Sequence, residues 1–130
     1  MIITCPLSVS VTGRKSFTLN LNNYRNAHYQ VLNKAKIAYM AEVRWQVAKM
    51  REYSKVEVIF TVYPKTKRIF DISNVCSIHE KFLMDCIVTL GKLPDDNWKH
   101  VLSSTYKYGS VDKNNPRVEA EIIEVDKWSS

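Results

Sequence analysis

The chain has 130 residues, 45% of them hydrophobic and 25% charged, and its 19 Lys and Arg against 13 Asp and Glu give a formal net charge of +6. That length suits one domain able to bury its own core, and that apolar share excludes a disordered chain. The basic balance favours a polyanionic partner, nucleic acid or an acidic surface, without implying base specificity; a merely soluble basic protein is the alternative.

Residues 2–11 carry β-branched side chains and predict a strand. Gly13 and the pair Arg14-Lys15 predict a turn, and the alternation of Phe17, Leu19 and Leu21 predicts a second short strand. Asn20, Asn22, Asn23 and Asn26 mark an irregular approach to a helix. His28 there is read as a capping or packing residue, with phosphate contact as the alternative. A first helix is expected over about 28–50. It carries Lys34, Lys36, Arg44, Lys49 and Arg51, either a surface for DNA phosphates or an ordinary solvated face.

In residues 55–63, KVEVIFTVY, the apolar positions Val56, Val58, Phe60 and Val62 fall on one face of a strand that Pro64 ends. The next stretch, 65–97, is the most informative. Lys65, Lys67 and Arg68 lead to Asp71. Val75, His79, Phe82, Leu83, Cys86, Ile87 and Leu90 then repeat at three and four residues, an apolar helical stripe. Asp71 or Ser73 suits the helix cap. Gly91 suits the left-handed position after the helix, and Pro94 prevents its resumption. At about 100° per residue, Asp71, Asn74, Ile78, Lys81 and Asp85 fall within roughly one 80° sector. That sector is either one functional face or a solvated one. Asp95-Asp96 closes the stretch.

Residues 99–108 and 117–125 read as strands, and the intervening 109–116 reads as a loop or hairpin turn, so these two strands are expected to pair with each other. The tail DKWSS is expected to fray. The expected fold is α+β in one domain over 1–130, a mixed or largely antiparallel sheet packed with two main helices. Cys5, Cys76 and Cys86 include no CxxC pair. They are read as buried reduced thiols rather than zinc ligands or a disulfide, which points to an intracellular setting. No run approaches the roughly 20 apolar residues of a membrane span, and residues 1–11 lack the basic start and long apolar segment of a signal peptide.

The stretch Asp71-Ile72-Ser73-Asn74, Lys81, Asp85 and Asp95-Asp96 resembles the RusA family of Holliday-junction resolvases, particularly its phage-borne members. The family pattern is Asp-x-Asp-Asn at a helix start, a Lys within the helix, an Asp a turn later, then a turn ending in Asp-Asp. Residues 20–39, NLNNYRNAHYQVLNKAKIAY, are similar to the family's Asn-rich segment and first helix. Two departures stand out. Ser73 occupies the place of a second catalytic Asp, and the spacing from Asp71 to Lys81 is about one helical turn longer than in shorter members.

The resemblance implies a homodimeric, bacterial or phage-encoded endonuclease that resolves four-way DNA junctions by paired nicks with Mg²⁺, or Mn²⁺ as substitute. The chemistry is coherent. Clustered carboxylates alone repel a phosphodiester, but around Mg²⁺ they hold the ion that neutralises it and acidifies a bound water. On the motif match Asp71 and Asp96 are expected as principal ligands and catalytic residues, with Asp95 as a further ligand or support. Lys81 is carried over as catalytic, Ser73, Asn74 and Asp85 as supporting. Lys65, Lys67, Arg68, Lys34 and Lys36 are candidate DNA contacts. Asp85, some 20 Å along the helix from Asp71, is not expected to share an ion with it. Two other readings stay open: a branched-DNA or single-strand-binding module without catalysis, and a basic interaction protein whose Asp-Asp turn is structural.

Overall fold

A computed structural model describes residues 1–12 and 15–125. The expected turn at Gly13 and Arg14 and the tail 126–130 lie outside the described residues. The elements in order are β1 (Ile2–Cys5), β2 (Ser8–Thr12), β3 (Lys15–Thr18), α1 (Leu21–Asn26), α2 (Tyr29–Ala48), β4 (Val56–Tyr63), α3 (Ile72–Thr89), β5 (Val101–Tyr108) and β6 (Arg117–Glu124).

The class is α+β, with a mixed four-stranded sheet in the order β1-β6-β4-β5 and a separate ribbon of β2 and β3. Three helices accompany it among the described residues, two of them long. The single N-terminal strand expected over 2–11 is two strands, because Pro6 has no N–H to donate and the chain turns there into the ribbon. The expected hairpin of the last two strands does not form. β5 pairs parallel with β4, while β6 pairs antiparallel with the other side of β4. Parallel neighbours need a crossover, and α3 supplies it.

The alternation in β4 sets one face of the sheet. Val56, Val58, Phe60 and Val62 are buried, and across the ladder so are Val118, Ala120 and Ile122 of β6 and Ile3 and Cys5 of β1. Ala120 sits between Phe60 and Ile3, so a small side chain separates two larger ones in one row. Against this face pack α2, through Ala35, Tyr39, Val43 and Val47, and α3, through Cys76, Ile78, His79, Phe82, Leu83, Met84, Cys86 and Ile87. The α3 stripe thus lies inward as its period predicts. Ile78, placed on the polar sector by angle, is buried as well. All three cysteines are free and buried.

The helix ends follow their local chemistry. The Asn20 side chain accepts from the Asn23 N–H at 2.8 Å, and His28 Nδ1 accepts from the Gln30 N–H at 3.2 Å, so His28 is a cap. Gly91 takes φ +74°, as expected past α3. Among the described residues no helix is long and apolar enough to cross a membrane.

One glycine is fixed by contact rather than by φ. A Cβ on Gly109 would lie 2.5 Å from the Tyr63 ring. That ring is held by the Arg117 guanidinium 4.2 Å from its centroid, and the Gly109 N–H donates to the Val62 carbonyl at 2.8 Å. Gly109→Ala is expected to destabilise by about 1–3 kcal/mol through this overpacking. Urea unfolding checks it, and Tyr63→Ala in the same chain should remove most of the penalty.

Candidate functional site

Helix α3 sets the positions of most candidate residues, and it is unbroken from Ile72 to Thr89. Asp71 is its N-terminal flanking residue and Asp85 lies fourteen residues on, about 21 Å by rise. The two ends of the helix face two different cavities.

The cavity at the C-terminal end holds about 500 Å³. Lys81 and Asp85 of α3, Lys36 and Tyr29 of α2, Tyr24 of α1 and Asp96 line it. Lys36 Nζ pairs with Asp85 at 2.5 Å. The Lys81 ammonium stands 5.7 Å from the Tyr24 ring centroid, a cation–π contact that keeps the charge near the cavity mouth. Asp96 follows the Gly91 turn, which directs the chain back beside the helix end. Its neighbour Asp95 accepts from the Asp96 N–H at 2.7 Å and from the Asn97 side chain at 3.1 Å. Those hydrogen bonds hold Asp95 below the usual carboxylate range, the Asp96 backbone donor first among them. Asp96 is shifted the other way. Partial loss of water raises it first, then its contact with Asp95 and the charges of Asp95 and Asp85. A cation near Asp96 would relieve that repulsion.

The cavity at the N-terminal end holds about 540 Å³. Asp71, Asn74, Arg68, Ile69, Phe70 and Asn20 are among its lining residues. The Asp71 side chain makes no capping hydrogen bond, and its backbone carbonyl accepts from the Asn74 N–H at 3.1 Å. Ser73 is exposed one residue into the helix. Lys65, Lys67 and Arg68 are exposed on the loop from β4, and among the described residues none of them is ion-paired. Lys34 is exposed on α2, but it does not line either cavity.

The structure therefore brings together Lys81, Asp85, Asp96 and Lys36, with Asp95 supporting Asp96 from the loop. It does not bring Asp71 to Asp95 and Asp96, the trio expected around one ion. The physical reason is the uninterrupted helix between them. Among the described residues no three His, Cys, Asp or Glu side chains form a group that could hold a metal ion. The carboxylates that line the C-terminal cavity are Asp85 and Asp96, and a Mg²⁺ ion that keeps several waters takes one or two such groups. Asp71 does not belong to that donor set.

Sequence reasoning missed Tyr24 and Tyr29 in the C-terminal cavity, and exposed Ile69 and Trp98 beside the cations and acids. The signal was present as apolar or aromatic residues interleaved with charge, in Arg68-Ile69-Phe70 and in Asn97-Trp98-Lys99. Trp98 is 78% exposed with the Lys99 ammonium 6.0 Å from its ring. No model of a known protein family matches this chain, and no curated protein matches it.

Proposed function

We propose that the protein is a Mg²⁺-dependent, structure-specific endodeoxyribonuclease that cuts four-way DNA junctions by paired nicks and acts as a homodimer. The observation that carries this reading is the C-terminal cavity, where lysines and carboxylates from α2, α3 and the following loop face one space on a chain of net charge +6. The RusA-like pattern of Asp71, Asn74, Lys81, Asp85 and Asp95-Asp96 supports it from the sequence side.

Asp85 and Asp96 would hold Mg²⁺, which when bound supplies Lewis acidity toward the phosphate and a more acidic water. Lys81, exposed at the cavity mouth, meets a non-bridging phosphate oxygen. Lys36 orients Asp85 through its ion pair and keeps the carboxylates from repelling the substrate. Asp95 fixes the Asp96 backbone. Exposed Lys65, Lys67, Arg68 and Lys34 add phosphate contacts that position a branched duplex without reading bases. A junction has two-fold symmetry, so two copies related by the same symmetry would place one cavity on each strand to be cut.

One observation favours a second reading. Lys36 already neutralises Asp85, which suits a module that binds branched DNA without cutting it. A synthetic four-way junction incubated with Mg²⁺ and with EDTA separates the two. Symmetric paired nicks that require Mg²⁺ are the expected result. Salt-sensitive binding that persists in EDTA with no nicks in Mg²⁺ would establish the binding module instead.

A further inference from the structure

The loop from β4 to α3 contains an isoleucine that the fold does not use. Ile69 is 96% exposed, although its neighbour Phe70 is half-buried and packs against the core. An isolated surface isoleucine is ordinary. This one stands directly after Lys65, Lys67 and Arg68, at the rim of the 540 Å³ cavity that Asp71 and Asn74 line. Two of the polar side chains there are open to a ligand, while Asn20 is engaged in capping α1. Among the described residues the Asp71 carboxylate and the Asn74 amide make no side-chain hydrogen bond. Ile69 gains nothing from folding in this position, and at the cavity rim it is available to an occupant.

Charge decides which occupant. A second copy of a +6 chain would bring like charge onto three cations that have no acidic partner among the described residues. A polyanion would neutralise them. DNA offers phosphates to the cations and an apolar base face to the isoleucine at once. Aliphatic side chains inserted between base steps unstack them at a cost of a few kcal/mol, least where pairing is already interrupted. Carboxylate and carboxamide groups suit the exposed base edge, since Asp accepts from the cytosine amino group and Asn pairs with adenine.

We infer that Ile69 is a wedge that enters the DNA stack at an interrupted step, and that the adjoining cavity receives the unstacked nucleotide. Lys67 and Arg68 hold its flanking phosphates, and Asp71 with Asn74 faces its base edge. This inference rests on the DNA-binding reading above but not on cleavage. It also gives Asp71 a role at the end of α3 away from Asp85 and Asp96.

The test uses the full chain in EDTA, so that no cutting intervenes, with a four-way junction carrying 2-aminopurine at the branch point. Binding is read by anisotropy and unstacking by 2-aminopurine fluorescence. The wild type should bind with a rise in fluorescence. Ile69→Ala should bind but lose the rise, and Ile69→Phe should keep it. Lys67→Gln should weaken binding and lower the slope of log affinity against log salt by about one. A complex with no rise, or an equal rise with Ile69→Ala, overturns the wedge and leaves the nuclease reading intact. Absence of any complex overturns both. Self-association of the free protein that Ile69→Ala abolishes would overturn it in favour of a second copy as the occupant.

Discussion

Asp96→Asn is expected to lower junction cleavage in saturating Mg²⁺ by about a hundredfold or more, the scale of removing one preorganised electrostatic partner. The exchange keeps the shape and hydrogen-bonding reach of the side chain and removes its charge. Asp96 is exposed on a loop, so the fold should tolerate the change. Its carboxyl is already raised by partial burial and by Asp95 and Asp85, a repulsion that a nearby cation would relieve. Asp85→Asn should act in the same direction while also releasing Lys36. Asp71→Asn distinguishes the two ends of α3. Under the geometry described, it changes junction binding more than the Mg²⁺ requirement. The decisive readout is nicking rate against Mg²⁺ concentration for the three variants. If Asp96→Asn cleaves as the wild type does, the C-terminal cavity is not where the phosphodiester is cut.

A second large effect is expected from acid, and its source is His79. The imidazole is fully buried, its Nδ1 lies 2.9 Å from the Tyr39 hydroxyl, and its Nε2 has no partner among the described residues. Burial pushes its pKa down to about 3. The ordinary value is about 6.5. The unfolded chain therefore takes up a proton as pH falls below about 6.5, while the folded chain does not. Stability is complete above that pH and falls by about 1.4 kcal/mol per pH unit below it. Between pH 6.5 and pH 5 the loss should reach about 2 kcal/mol. Urea unfolding at pH 7, 6 and 5 measures it, and His79→Leu should flatten the dependence. A wild type equally stable at pH 7 and pH 5 would mean that the folded imidazole does accept the proton.

The burial of His79 was legible in the sequence, because it fell in the stripe with Phe82, Leu83, Cys86 and Ile87. Periodicity reports which face of an element is covered, and it did so for α3 and for β4. It does not report neighbours. The alternation of Val56, Val58, Phe60 and Val62 is the same whether the next strand is β5 or β6. The loop 109–116 reads as a loop or hairpin turn joining paired strands, although it spans from one side of β4 to the other. Ile78 was placed by angle on a polar sector, yet α3 is covered by α2 and the sheet over a wider arc than one stripe. For the candidate site, residue types and loop positions were legible, while assembly was not. Helix rise already separated Asp85 from Asp71. Where the chain goes after Gly91 decides which acid meets which, and only the fold shows that Asp96 stays with Asp85.

The position of β6 between β1 and β4 also bears on how the protein forms. Ile3 pairs with Ala120 and Phe60 pairs with the same residue from the other side. Until Arg117–Glu124 is available, β1 has no neighbour in the sheet and its inward row of Ile3 and Cys5 cannot be joined to that of Phe60 and Val62. A contact spanning more than a hundred residues pays a large loop-closure cost before it is rewarded, so it belongs to the slow end of folding. A nascent chain on the ribosome would therefore hold helices and the β4–α3–β5 unit with an open seam. Synthesis arrested before Arg117 would yield a product with two unsatisfied strand edges, prone to stick to its like and a natural client of chaperones.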